Sequence, residues 1–93
     1  MLATHFRGPM EWTLKSDDSS AVNRIDAKMR YSQGAHAWMV DLTINWKSAP
    51  TAPYFYVVTW AAYLEAITSS GGSLGRVANA IKRADQSIGS MAV

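Results

Sequence analysis

The stretch Trp38-Met39-Val40-Asp41-Leu42-Thr43-Ile44-Asn45-Trp46-Lys47 decides the fold. Trp38, Val40, Leu42, Ile44 and Trp46 fall on one side of an extended chain; Met39, Asp41, Thr43, Asn45 and Lys47 fall on the other. Side chains alternate across a β-strand with period two, whereas a helix would scatter both sets around its axis. The β-branched and aromatic content fits the same reading: a strand with one face in a core and one in water.

The alternation extends toward the amino end. Ile25, Ala27, Met29 and Tyr31 oppose Arg24, Asp26, Lys28 and Arg30, and Ser32 to His36 reads as a hairpin loop. Met10, Trp12 and Leu14 alternate with Glu11, Thr13 and Lys15, and Leu2 to Arg7 is a candidate earlier strand before a Gly8-Pro9 break. Ser16 to Ser20 is a polar turn containing Asp17-Asp18. Ser48 to Pro53 holds two prolines and is a loop, and Tyr54 to Val58 is a short fourth strand of the core sheet.

After Val58 the period changes to that of a helix. Thr59 is placed to cap a helix over Trp60 to Thr68, with Trp60, Tyr63, Leu64 and Ile67 on one stripe. Ser69-Ser70-Gly71-Gly72 ends it. Ser73 is a second cap, and Leu74, Val77, Ala78, Ile81, Ala84 or Asp85, and Ile88 repeat at helical spacing up to Gly89, a C′ glycine. Strands followed by helices predict an α+β domain. The expected architecture is an antiparallel sheet of about four strands with two C-terminal helices packed on one face, a single domain over 1–93 with strands within 2–58 and helices within 60–88. Trp38 and Trp46 are expected in the core, joined by Trp12. The opposite face stays wet and carries Glu11, Lys15, Arg24, Asp26, Lys28, Arg30, Asp41, Thr43, Asn45 and Lys47.

Composition narrows the function. Of 93 residues 48% are apolar and ten are aromatic, enough to fill a core, while 17% charged residues are too few for a disordered polyelectrolyte. The net charge of +2 is below the excess of a dedicated nucleic-acid binder and has the wrong sign for a charge mimic of DNA. No cysteine is present, which removes disulfides, thiolate zinc sites and cysteine nucleophiles and fits a reducing cytoplasm. No apolar run reaches the length of a membrane span, and the first ten residues lack the apolar stretch of a signal peptide.

Candidate chemistry is sparse. His5 and His36 are the only histidines, and neither has a second ligand at helical spacing, so no metal site is expected. Asp17-Asp18 reads as a solvated turn, and Asp41 as a cross-strand partner of Arg24 or Lys28 rather than a general base. No serine sits in a Gly-x-Ser-x-Gly elbow. Gly71-Gly72-Ser73-Leu74-Gly75 lacks the spacing and lysine of a phosphate loop and reads as a tight helix–helix turn. Arg76 and Arg83, with Lys82 beside them, form the solvent stripe of the second helix. On the wet face Lys15, Arg24, Lys28, Arg30 and Lys47, with Tyr54 or Tyr56, have the outline of an RNA-binding sheet. The glycine-aromatic signature of such sheets is missing, and Glu11, Asp26 and Asp41 interrupt the positive charge, which suits a protein surface or plain solubility better than a polyanion. Tyr31, Tyr54 and Tyr56 are the aromatic interface candidates, because tyrosine tolerates half-exposure and is enriched at binding hot spots.

The segment Gly71-Gly72-Ser73-Leu74-Gly75-Arg76-Val77-Ala78-Asn79-Ala80-Ile81 resembles the C-terminal helix entry of small phage anti-CRISPR proteins of the type I-F group. That family has a glycine-rich turn, Leu-Gly-Arg, an aliphatic residue, a variable one, then Asn-Ala and another aliphatic, preceded by strands and a short aromatic helix. The match covers about an eighth of the chain. The resemblance implies a non-enzymatic inhibitor, working in the host bacterial cytoplasm. It would dock on the guide-RNA-carrying backbone subunits of a type I CRISPR-Cas surveillance complex and keep target DNA from pairing with the guide. None of the family's contact residues lies in the matched segment, so none is carried over. A channel lined with Lys and Arg would be met by carboxylates, here Glu11, Asp26 or Asp41, with Tyr31, Tyr54 and Tyr56 as rigid anchors. No cofactor, no direct DNA binding and a monomer or weak dimer are expected. Two other classes fit the residues: a small nucleic-acid-binding or regulatory domain using the basic helix stripe and sheet face, and a structural protein such as a phage oligomer subunit.

Overall fold

The computed structural model describes residues 2–16, 21–48 and 54–86. It is an α+β domain with strands β1 (Leu2–Gly8), β2 (Glu11–Ser16), β3 (Val22–Ser32), β4 (Ala37–Trp46) and β5 (Tyr54–Thr59), then helices α1 (Trp60–Ser69) and α2 (Leu74–Ala84). The strands form one antiparallel sheet in the order β1-β2-β3-β4-β5, a simple meander. The sheet therefore has five strands rather than about four, because Leu2 to Phe6, and Gly8 after an irregularity at Arg7, pair with β2. The Asp17-Asp18 turn and the loop from Pro50 to Pro53 lie outside the described residues.

Alternation puts Leu14, Ile25, Ala27, Val40, Leu42, Ile44 and Val58 on one face, and all are buried. Against them pack Tyr63 and Ala66 of α1 and Leu74, Val77, Ala78 and Ile81 of α2, closing one hydrophobic core. Full burial of each aliphatic side chain contributes roughly 1.5–3 kcal/mol. One irregularity widens the core stripe. Val22 pairs with Trp46 and Arg24 with Asn45, so Asn23 is an extra residue in β3 and Val22 and Ile25 both face inward despite a spacing of three.

Both helices begin as their caps dictate. Thr59 Oγ1 accepts the Ala62 amide at 3.1 Å, and Ser73 Oγ accepts the Arg76 amide at 3.4 Å. Between them Gly71 and Gly72 take positive φ of 63° and 88°, the backbone that lets α2 fold back beside α1. The segment that carries the family resemblance thus builds the turn and the inner face of α2. Helix α1 is rotated from its predicted stripe: Tyr63 and Ala66 are buried, whereas Leu64 is exposed.

Helix α2 stops at Ala84, and Asp85 and Gln86 are outside it; Ile88 and Gly89 lie outside the described residues. The stop has a cause. Asp85 Oδ1 accepts the Val57 amide at 2.9 Å, and the Gln86 amide donates to the Val57 carbonyl at 2.8 Å. The chain leaves the helix to satisfy the outer edge of β5, and two hydrogen bonds there replace one further helical turn.

The aromatic residues divide in a way their parity does not foretell. Trp12 is buried: its Nε1 donates to Tyr63 Oη at 2.8 Å, and its ring meets Trp60 and Tyr63 edge-on. Trp46 is partly covered, with Lys82 Nζ 5.4 Å from its ring centroid. Trp38 is not a core residue. It has inward parity, but the β3–β4 hairpin outruns the helices, leaving Trp38 47% exposed with Tyr31 edge-on against it at 5.4 Å.

Candidate interaction face

The second face of the sheet is opposite the helical core; Met39 and Thr13, each 4% exposed, are buried on it, and the rest of its outward set is more open. Strand register defines its rows. One runs Phe55, Thr43, Asp26, Thr13 and His5 across all five strands, about 19 Å at the usual strand spacing. Beside it run Val57, Asp41, Lys28 and Glu11, an alternation of charge across three adjacent strands.

Asp26 is the centre of this face. Its Oδ1 accepts from Thr13 Oγ1 at 2.8 Å and faces Arg7 at 3.5 Å; its Oδ2 accepts from Arg24 Nε at 3.2 Å and Asn45 Nδ2 at 3.1 Å. Partial burial pushes the carboxyl up. The hydrogen bonds from Thr13 and Arg24, with the charges of Arg24 and Arg7, outweigh it and hold the group below its ordinary value of 3.8. Thr13, only 4% exposed, depends on Asp26 for its hydroxyl partner. Asp26 therefore organises the face and has little capacity left for a partner protein.

Asp41 is also engaged, but not as predicted. Lys28 lies directly opposite it, yet the ion pair forms diagonally with Arg30, whose Nε and NH2 reach the two carboxylate oxygens at 2.6 and 3.1 Å. A planar guanidinium matches both oxygens at once, which a lysine ammonium cannot. The pair raises the pKa of Arg30. Glu11 differs from both aspartates: among the described residues its side chain has no hydrogen bond or ion pair, and it is the carboxylate on this face available to another molecule.

The three tyrosines do not join the acids. Tyr54 pairs with Ile44 and Tyr56 with Leu42, so both share the helix-bearing face with those core residues. There they line an open cleft of about 440 Å³ with Trp46, Ser48 and Lys82. Burial, then the nearby Asp85 charge, pushes the Tyr56 hydroxyl up. Tyr31 is on that face too, paired with Trp38. The aromatic residue that does stand on the open face is Phe55, 71% exposed between the two tyrosines. A signal for this was present: Tyr54, Tyr56 and Val58 share one parity, and Val58 is the residue of that set with no polar group to spare for water. Burying Val58 fixes both tyrosines inward and Phe55 outward.

The positive charge of the face is largely consumed. Arg7, Arg24 and Arg30 all contact carboxylates, leaving the lysines of the wet set as the cations of this face with no ion pair among the described residues. Among the described residues no three His, Cys, Asp or Glu side chains come together as a metal site would require. No described helix is long and apolar enough to cross a membrane. The chain matches no protein-family model, no curated protein and no solved structure.

Proposed function

We propose that the chain is an anti-CRISPR protein, a non-enzymatic inhibitor that occupies the guide-carrying backbone of a type I CRISPR-Cas surveillance complex and blocks target DNA binding. The observation that carries the reading is the open sheet face: a hydrogen-bonded surface opposite the helices, with Phe55 71% exposed on it and the Glu11 carboxylate half-exposed beside it. The resemblance of Gly71 to Ile81 to the type I-F group supports it independently, through the turn that seats both helices behind that face.

The geometry revises the contact set. Phe55 and Glu11 are the anchors, Asp41 with Arg30 is a rim pair, and Asp26 holds the surface in shape. Tyr31, Tyr54 and Tyr56 face away from this surface and contribute to it only through the fold. Nucleic-acid binding is the weaker reading, because three of the arginines on the face are already neutralised by Asp26 and Asp41.

The test is loss of target-DNA binding by a purified type I complex on adding the protein. Phe55→Ala and Glu11→Lys should each weaken inhibition about tenfold or more, equivalent to about 1.4 kcal/mol, with the melting temperature unchanged. Unimpaired DNA binding by the complex would overturn the proposal. So would tight, steeply salt-dependent DNA binding by the protein alone.

A further inference from the structure

The two edges of the sheet are treated differently. On β5, Asp85 and Gln86 cover Val57 with one acceptor and one donor. On β1, the terminal strand of the sheet, no described element pairs with the outer edge, and Ala3 to Arg7 are all exposed. An uncovered edge is normally blunted by lysine, proline, an inward charge, a bulge or a short strand. Leu2–Gly8 is seven residues long and contains neither lysine nor proline, and its irregularity, at Arg7, lies beyond Thr4 to Phe6, where the register is regular. Its one Arg, Arg7, is turned to Asp26 on the open face.

The helix-bearing side of this edge is apolar. Phe6 is 80% exposed and, with Thr4, forms the rim of a groove of about 360 Å³ floored by Trp12, Met29, Trp60 and Tyr63. Knob and groove therefore sit on the same edge of the same molecule. That is the requirement for an isologous contact, in which one patch meets its own copy about a two-fold axis.

We infer that β1 is a self-association edge, pairing antiparallel with β1 of a second copy to form a continuous ten-stranded sheet. In a register centred on His5, Phe6 lies opposite Thr4 of the second copy, and the two Phe6 rings are diagonal neighbours within aromatic reach. Each ring then covers the mouth of the other copy's groove. The chain's net charge of +2 offers little repulsion. The two-fold axis leaves the open faces of both copies uncovered and on the same side, so the dimer is compatible with the proposed inhibitory contact without depending on it. Seven strand residues and a few groove residues fall short of the roughly 20–30 per side of a standard interface, so the dimer is weak, with Kd near or above the micromolar range.

Sedimentation of the whole chain from about 10 µM to about 1 mM tests this, read with amide exchange along β1. The expected result is a concentration-dependent dimer in which outward β1 amides gain protection, and loss of the dimer in Phe6→Lys at an unchanged melting temperature. Phe6 is almost fully solvated in the monomer, so the substitution leaves folding intact. If Phe6→Lys nevertheless lowers the melting temperature, the exchange protection in the unaltered chain decides. A monomer at every concentration overturns the inference and leaves the edge to a strand of another protein. A dimer whose β1 amides exchange freely overturns it as well.

Discussion

Replacing Asp26 by alanine should be the most damaging change on a face that otherwise tolerates substitution. The side chain accepts from Thr13, Arg24 and Asn45 and faces Arg7. Arg24 and Arg7 are about half exposed, with side-chain accessibilities of 45% and 49%, so their ion pairs contribute about 0–1 kcal/mol each. Thr13 is different, because its residue is buried and its hydroxyl would lose its partner, at a cost of about 1–3 kcal/mol. The expected loss for Asp26→Ala is therefore about 1–5 kcal/mol, against less than about 1 kcal/mol for Asp41→Ala, whose pair with Arg30 is solvated. Urea unfolding measures both. The double variant Asp26→Ala/Thr13→Val should recover part of the loss, since removing both partners leaves no orphaned hydroxyl. The pH dependence has a definite sign. The Asp26 carboxyl is held below its ordinary 3.8, so its stabilisation is complete above that value and disappears as pH falls through the lowered one. The gap between the native chain and Asp26→Asn should accordingly close in acid. A loss below about 1 kcal/mol for Asp26→Ala, or no coupling to Thr13, would refute the assignment of Asp26 as the organiser of this face.

Other substitutions test the packing and the turns. Trp38→Ala should cost only about 1–2 kcal/mol, since the ring is half solvated and loses mainly its contact with Tyr31, whereas Leu42→Ala, at 1% exposure, should cost about 2–5 kcal/mol; equal losses in chemical denaturation would contradict the hairpin's projection past the helices. His36 has φ of 51° and an exposed side chain, so His36→Gly should stabilise by about 0.5–1 kcal/mol, while Gly34, with no positive φ and open space around it, should accept alanine with a similar gain; the two variants' melting temperatures check this.

The alternation from Trp38 to Trp46 and from Ile25 to Tyr31 is local information, because consecutive side chains on a strand must point to opposite sides whatever they pack against. The α+β class, the capping threonine and serine, and the inner face of α2 are legible for the same reason: each depends on neighbours within a few residues. The sequence also places Glu11, Asp26 and Asp41 on one face of the sheet. It does not say which of them is free. That Asp26 is saturated, that Asp41 takes Arg30 rather than Lys28, and that Glu11 stands alone depends on the reach of side chains from three paired strands.

Parity names a face but not how far the covering layer extends, so Trp38 and Ile44 carry the same local pattern and only the footprint of α1 and α2 separates them. Helical spacing at Ile81 and Ala84 continues formally to Ile88, yet the helix ends where Asp85 and Gln86 meet the unpaired edge of β5, a partner 28 residues away for Asp85. Parity, caps and turn chemistry are set by bonds and sterics along the chain. Coverage, edge satisfaction and the choice of ion-pair partner are set by what the folded chain brings across from elsewhere, and those three decided where an interaction surface is left.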